Sequence, residues 1–437
     1  MFMKNTKLTF LIFIIGCLSD AFWMLPPARA AVEYCAATET IWVSDYPADF
    51  PCTPRLLARI DKIFGWGRVY LDEGNSVVTV AANLMIGRND GSSTYFQIGD
   101  PKHTNETLIV QGSLRVYPNW LTGENRELHP GKPTQLWMLR QAGLVNRLTL
   151  GVRDDPNIHA ALLLEKHPRG PAQLTIGGFF GYSSKNAGGQ LLVYNSMIAS
   201  AGDDPIETVN MGVLDRLEMI NATVRNVRRE WGRLLGSGLF QNCRFEKCGV
   251  AITGYYQDKV NAVSFIDCGT AVSVARDGVL YDCVFSGNRR NWSLNHNGRL
   301  VAVDCEIDAY DKGAYSGASN AFFVSKRHVI VRALDRAGNP LKNAAVQVQL
   351  LGAERVGAPE FDNLQAVTGT DGCTPGREAK GALLLSERLL RAGADTNAAP
   401  EQTEYVYSIH AKVDGREAQL GNFTPRRSWE EVALVVE

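Results

Sequence analysis

Tyr256, Arg276 and His296 are spaced by 20 residues, and Arg289 and Arg290 precede the last of them. These residue types suit one kind of chemistry. A guanidinium pairs with a carboxylate in a fork. An imidazole or a phenolate can take up a proton at a reacting centre. Together they fit a lyase-type elimination on an acidic polysaccharide, in which the substrate carboxylate is neutralised and the proton beside it removed. Arg276 with Arg289 and Arg290 would hold the carboxylate, and His296 or Tyr256 would act as base. Tyr255, Asn295 and Glu230 would line the substrate. The same residue types also occur as ordinary solvated side chains on any large surface.

The 20-residue spacing belongs to a repeat that runs from about residue 188 to 310. Ile198, Val224, Phe245, Phe265, Phe285 and Ile307 form one column, with spacings of 26, 21, 20, 20 and 22. Ser196, Ala222, Cys243, Val263, Cys283 and Cys305 form a second column with the same spacings. A fixed period of this size marks a solenoid. Two helices need a longer repeat, and each repeat here is a set of short alternating runs broken by Gly, Asn or Asp. Those are strand and turn signals. Asn195, Asn221, Asn242, Asp282 and Asp304 precede the small-residue column, and Asn and Asp suit a sharp left-handed corner. Alternation along the next strand turns Ile252, Val272 and Trp292 inward and Thr253, Ser273 and Ser293 outward.

The phrase Asn242-Cys243-Arg244-Phe245-Glu246-Lys247-Cys248-Gly249-Val250-Ala251-Ile252, followed by another coil, resembles the right-handed parallel β-helix of the pectin-lyase-like superfamily. The resemblance covers roughly residues 66–325. It implies an all-β solenoid with substrate lying over the face of Tyr256, Arg276 and His296. It does not by itself imply an activity, because the fold serves enzymes and non-catalytic surface proteins alike.

Before the repeat, Lys4, Lys7 and the apolar run Leu8–Ile15 read as a secretory signal. Ala28-Arg29-Ala30 offers one cleavage site, and Ile14-Ile15-Gly16-Cys17 reads as a lipobox that would tether the protein to a membrane at Cys17. Either exit puts the chain outside the cytoplasm, secreted, periplasmic or at the cell envelope. Cys35 and Cys52 are then open to pairing as a disulfide. Cys243, Cys283 and Cys305 read as packing residues; Cys248 and Cys268, one coil apart, could bond. Thr53 as N-cap and Pro54 open a helix whose apolar face is Leu56, Leu57, Ile60, Ile63 and Phe64, closed by Gly65. It would cap the first coil. Residues 119–141 read as a long loop without a clear strand.

After Val324 the period stops. Residues 328–335, 345–350, 405–409 and 432–436 read as strands of a small β-sandwich. Asp335-Arg336-Ala337-Gly338-Asn339-Pro340-Leu341 and Thr370-Asp371-Gly372 resemble the carboxypeptidase regulatory-like or transthyretin-like modules of secreted proteins. The expected order is a signal peptide over 1–30, a capping segment over 31–65, the β-helix over 66–325 and the β-sandwich over 326–437.

Net charge is −1 over 437 residues, with no basic surplus for nucleic acid. Hydrolysis would need two carboxylates on one face, and the outward positions carry none. A calcium cofactor stays open, with Asp203-Asp204 as a candidate pair, though a Gly-Asp-Asp-Pro loop also reads as a polar turn. Two readings remain. One is a monomeric carbohydrate-active lyase of an acidic polysaccharide. The alternative is a non-catalytic surface protein that binds polysaccharide or serves as a stiff rod.

Overall fold

The computed structural model describes residues 31–44, 46, 50–87, 94–99, 105–116, 120–122, 128–130, 135–138, 145–164, 173–176, 189–200, 208–211, 214–227, 234–254, 259–274, 277–295, 297–316, 320–352, 362–376, 379–392 and 400–437. The fold is all-β and rich in parallel pairs. Among the described residues it has one α-helix, Pro54–Phe64, and one 3-10 turn, Tyr310–Lys312. The chain folds as two compact units, Met1–Gly236 and Ser237–Glu437.

In the second unit, strands one repeat apart pair in parallel. Arg244–Glu246, Ser264–Ile266, Val284–Ser286 and Glu306–Ile307 form one series. Val250–Gly254, Thr270–Val274, Trp292–Asn295 and Gly313–Ser316 form another. Lys259–Asn261, Asp277–Tyr281, Arg299–Val303 and Phe322–Leu334 form a third. The register sets Phe245 beside Phe265 and Phe265 beside Phe285, and their rings stack at 5.8 and 5.0 Å. Ile252, Val272 and Trp292 are buried as alternation requires.

The corners are left-handed. Asn242, Asp282 and Asp304 have φ of 53°, 51° and 55°, and Asn195 and Asn221 in the first unit have 51° and 53°. Asn and Asp reach that region more readily than other side chains. The Cys column after these corners is buried. Cys243, Cys248, Cys268, Cys283 and Cys305 are all free thiols, so they pack as small apolar side chains.

The first unit has the same parallel pairing at less even spacing. Val77–Val80, Thr107–Val110, Asn146–Leu150, Gly189–Tyr194 and Leu214–Ile220 form one sheet. Tyr95–Ile98, Gln135–Met138, Gln173–Ile176 and Thr208–Met211 form a second. Residues 119–141 are therefore not a strandless loop. Trp120–Thr122 and Leu128–Pro130 make an antiparallel hairpin, and Gln135–Met138 sits between two partners in a parallel sheet. Backbone pairing on both sides supplies what the short run lacks in local propensity.

The helix forms where its capping residues place it. Leu56 N–H bonds the Thr53 hydroxyl at 3.2 Å, and Gly65 ends it at φ 68°. Its apolar face is narrower than the spacing implies. Leu57 and Ile60 are buried, but Ile63 is 76% exposed and Phe64 42%. Asp61 fills that inner position instead, its buried carboxylate accepting the N–H groups of Gly67, Arg68 and Val69 at 2.9, 2.7 and 2.8 Å. Cys35 is exposed and Cys52 buried, both as free thiols, so the disulfide left open by the sequence is absent.

In the second unit the strand Phe322–Leu334 passes straight through residues 325 and 326. Its first half pairs with Arg299–Val303 and its second half with Glu430–Val435. Leu383–Arg391 runs antiparallel along it. A separate antiparallel sheet holds Gln365–Val367, Ala345–Leu351, Val406–Val413 and Arg416–Phe423. Val331, Val346, Leu383, Tyr407 and Ile409 belong to one buried cluster to which both sheets contribute.

Candidate functional site

Of the residues singled out by spacing, Tyr255, Tyr256, Glu230, Arg276 and His296 lie outside the described residues. Arg289, Arg290 and Asn295 are described, and all three are exposed. The backbone N–H of Arg289 bonds Cys268 O at 2.9 Å and that of Arg290 bonds Gly269 O at 3.1 Å, which fixes the entry to strand Trp292–Asn295. The outward row beside them is small and uncharged. Ser273 pairs with Ser293, and Ser293 with Ala314. Asp277, at a strand edge, is held by Arg299 at 2.5 Å.

Charge converges elsewhere, on the outward face of one sheet in the first unit. Arg147, Gln190 and Arg216 occupy the same register position on three adjacent strands. They point outward because their neighbours Leu148, Leu191 and Leu217 are buried. Arg147 donates its Nε–H to Gln190 Oε1 at 2.9 Å. Two residues after Arg216, on the same face, stands Glu218. Its side chain is fully buried, yet it is the acceptor for three donors. Arg216 makes a close ion pair with it, Arg153 approaches at 3.4 Å, and the Tyr194 hydroxyl donates at 3.0 Å. Arg153 also lies over the Tyr194 ring, 6.0 Å from its centroid.

The electrostatics follow from that packing. A buried carboxylate is tolerated only with partners that replace its water, and Glu218 has them. Two guanidiniums, Arg153 and Arg216, meet the one carboxylate of Glu218, so the cluster keeps a net positive charge. Arg153 and Arg216 remain 56% and 46% exposed. Burial, and then the Glu218 carboxylate, push the Tyr194 hydroxyl up to about 12, against the pull of the two arginines. At neutral pH Tyr194 is therefore a hydrogen-bond donor and not a base. The arrangement can bind an anion; it has no group poised to remove a proton.

Sequence reasoning missed this cluster because the relevant spacings are irregular. Arg147 and Gln190 are 43 residues apart and Gln190 and Arg216 are 26. The available signal was the i, i+2 pair of Arg216 and Glu218, which a strand places on one face.

A second concentration of charge lies inside the second unit. Lys326 Nζ meets Asp362 at 2.5 Å, Arg327 Nε meets Glu387 at 2.8 Å, and His328 Nδ1 meets Asp304 at 2.5 Å. Ser325 and Tyr310 also donate to Glu387, at 2.8 and 3.2 Å. These groups satisfy one another in the interior and brace the strand. Among the described residues no group of three or more His, Cys, Asp or Glu side chains could hold a metal ion, and Asp203-Asp204 lies outside them.

No protein-family model, no curated protein and no solved structure matches this chain.

Proposed function

We propose that the protein is an exported, acidic-polysaccharide-binding protein of the cell envelope or its surroundings, built on a right-handed parallel β-helix with a C-terminal β-sandwich. The β-helix is supported by the parallel pairing of strands one repeat apart and by left-handed Asn and Asp corners before inward columns. Export is supported by the basic and apolar pattern of residues 4–15. No helix among the described residues is long and apolar enough to cross a membrane.

The observation that carries the binding reading is the outward row Arg147–Gln190–Arg216, reinforced by Arg153. Arginine forks suit the carboxylates of a uronate chain. Strands repeat every ~4.8 Å, so the row presents its groups as a regular ladder. The raised hydroxyl of Tyr194 favours binding over elimination at this face. The test is titration of the full chain with acidic polysaccharides at low and high salt. The double variant Arg147→Ala/Arg216→Ala should weaken binding about tenfold, as loss of charge-assisted hydrogen bonds implies. Added salt should weaken the parent protein more than the variant, because exposed charges are screened. Unchanged affinity in the variant would remove this face from the reading.

A lyase remains the second reading, favoured by the exposed pair Arg289 and Arg290 at the entry to strand Trp292–Asn295. It would use Arg276, His296 and Tyr256, with or without calcium. Ultraviolet absorbance from unsaturated uronate ends, present in the parent and lost in Arg276→Ala, would establish it. Binding without that signal leaves the binding protein.

A further inference from the structure

The row on the first unit is not a uniform strip of cations. It reads arginine, glutamine, arginine, one residue per strand, with no charge on the middle strand. Arg147 and Arg216 are two strand spacings apart, or roughly 10 Å. That is about the length of one disaccharide, so a glycan crossing the strands would set one sugar over each strand. Resting on the binding reading above, we propose that this face selects a glycan in which acidic sugars alternate with neutral ones.

Each position has a chemistry that matches. At the outer positions a guanidinium meets a uronate carboxylate, bidentate where the fork is accessible. Arg153 keeps the Arg216 position cationic, since the two guanidiniums converge on the single carboxylate of Glu218 and leave a net positive charge. At the middle position the Gln190 carboxamide offers N–H donors to a hydroxyl or acetamido oxygen. Its oxygen is already committed to Arg147 Nε at 2.9 Å, which holds the amide in a defined orientation. Gln190 is half-buried, between Arg147 and Arg216 on its two sides.

A homopolyuronate fits less well. Every sugar then carries a carboxylate, and one of them must sit over Gln190 without a counter-charge of its own. A charge placed against a partly desolvated neutral group loses hydration without gaining an ion pair. Neutral polymers fail at the other two positions. Charge spacing, and not charge density, is then the feature that is read.

The experiment compares two size-matched probes at equal carboxylate concentration and low salt. One is a hyaluronan oligosaccharide, in which uronate alternates with a neutral N-acetylated sugar. The other is an oligogalacturonate, acidic at every residue. The full-length protein should bind the alternating probe about tenfold more tightly, the difference expected for one misplaced charged contact. Gln190→Arg completes the ladder of cations and should reverse that order. Gln190→Met, close in shape and without the amide, should weaken the alternating probe and leave the other unchanged. It keeps the test informative if the arginine variant fails to fold. Equal binding of both probes by the parent overturns the alternation and leaves the binding reading standing. Binding of neither overturns both.

Discussion

The hydroxyl of Tyr194 donates to the buried carboxylate of Glu218 at 3.0 Å, from the neighbouring strand of the same parallel sheet. The contact ties the end of one strand to the middle of the next. It also leaves Glu218 with a neutral donor as well as two cations, so neither arginine carries the carboxylate alone.

Tyr194 has a pH signature. Its hydroxyl titrates near 10 in an unfolded chain and is pushed up to about 12 in the fold, first by burial and then by Glu218. The native state therefore holds its proton longer than the unfolded state. The associated stability is fully present below pH 10 and is lost as pH rises toward 12. Chemical denaturation of the parent and of Tyr194→Phe across that range should show the gap between them shrinking as pH rises. A gap that widens would mean that the hydroxyl is not held as described. Tyr315, also raised to about 12, contributes to the parent's slope in both proteins and cancels in the comparison.

Glu218 competes with any external anion for Arg153 and Arg216. Glu218→Gln keeps the shape and the Tyr194 contact but removes the internal counter-charge. Affinity for an acidic polysaccharide should rise several-fold and its salt dependence should steepen. The cost in stability should be small, about 1–2 kcal/mol, because both arginines are half exposed and regain water. Binding isotherms at two salt concentrations decide it, and weaker binding by the variant would contradict an anion site at these arginines.

Lys326 and Asp362 test the brace in the second unit. The Lys326 side chain is 1% exposed and Asp362 12%, with Ser386 donating to Asp362 at 3.1 Å. Removing one partner strands the other charge in the interior, so Asp362→Ala should cost about 3–5 kcal/mol. Lys326→Met/Asp362→Leu should recover most of that loss, since well-packed apolar pairs often replace buried ion pairs without penalty. Denaturant unfolding of the single and double variants measures both. A double variant as unstable as the single one would show that packing, and not charge, holds the strand.

These elements differ in how far the chain reveals them, and the reason is periodicity. Phe245, Phe265 and Phe285 stack because identical side chains recur at one register, and such a column is visible as spacing. The corners are visible where Asn or Asp occupies them, but Ala262 and Lys247 take the same left-handed backbone at φ 54° and 52° with no compositional cue. There the parallel strands paired on either side impose the conformation. The apolar pattern predicts a strand from His328, because Ser325, Lys326 and Arg327 break it, whereas the strand begins at Phe322. They are buried all the same, each with a partner distant in sequence: Ser325 with Glu387, 62 residues away, Lys326 with Asp362, 36 away, and Arg327 with Glu387, 60 away. No local pattern encodes such pairings. The Arg147–Gln190–Arg216 row was hidden for a related reason, since insertions between its strands destroy the spacing while leaving the register intact.

Register also limits what the close backbone approach after Cys248 and Cys268 can hold. Gly269 follows Cys268, and its N–H bonds Cys248 O at 2.8 Å while Thr270 N–H bonds Gly249 O at 2.8 Å. A Cβ on Gly269 would sit 2.6 Å from Gly249 O, a backbone atom that cannot move without disturbing both bonds. Gly269→Ala should therefore destabilise by about 1–3 kcal/mol, the range for forced overpacking. The backbone angle is not the cause, since Gly269 is not among the left-handed glycines. Gly421 is the control. It lies in strand Arg416–Phe423 with nothing within 4 Å of its Cβ position. Alanine there should change stability by no more than about 0.5 kcal/mol, or raise it slightly by restricting the unfolded chain. Thermal and denaturant unfolding of the two variants side by side reads the difference directly. Equal effects at both positions would mean that the backbone at Gly249 does not approach Gly269 as closely as a 2.6 Å contact requires.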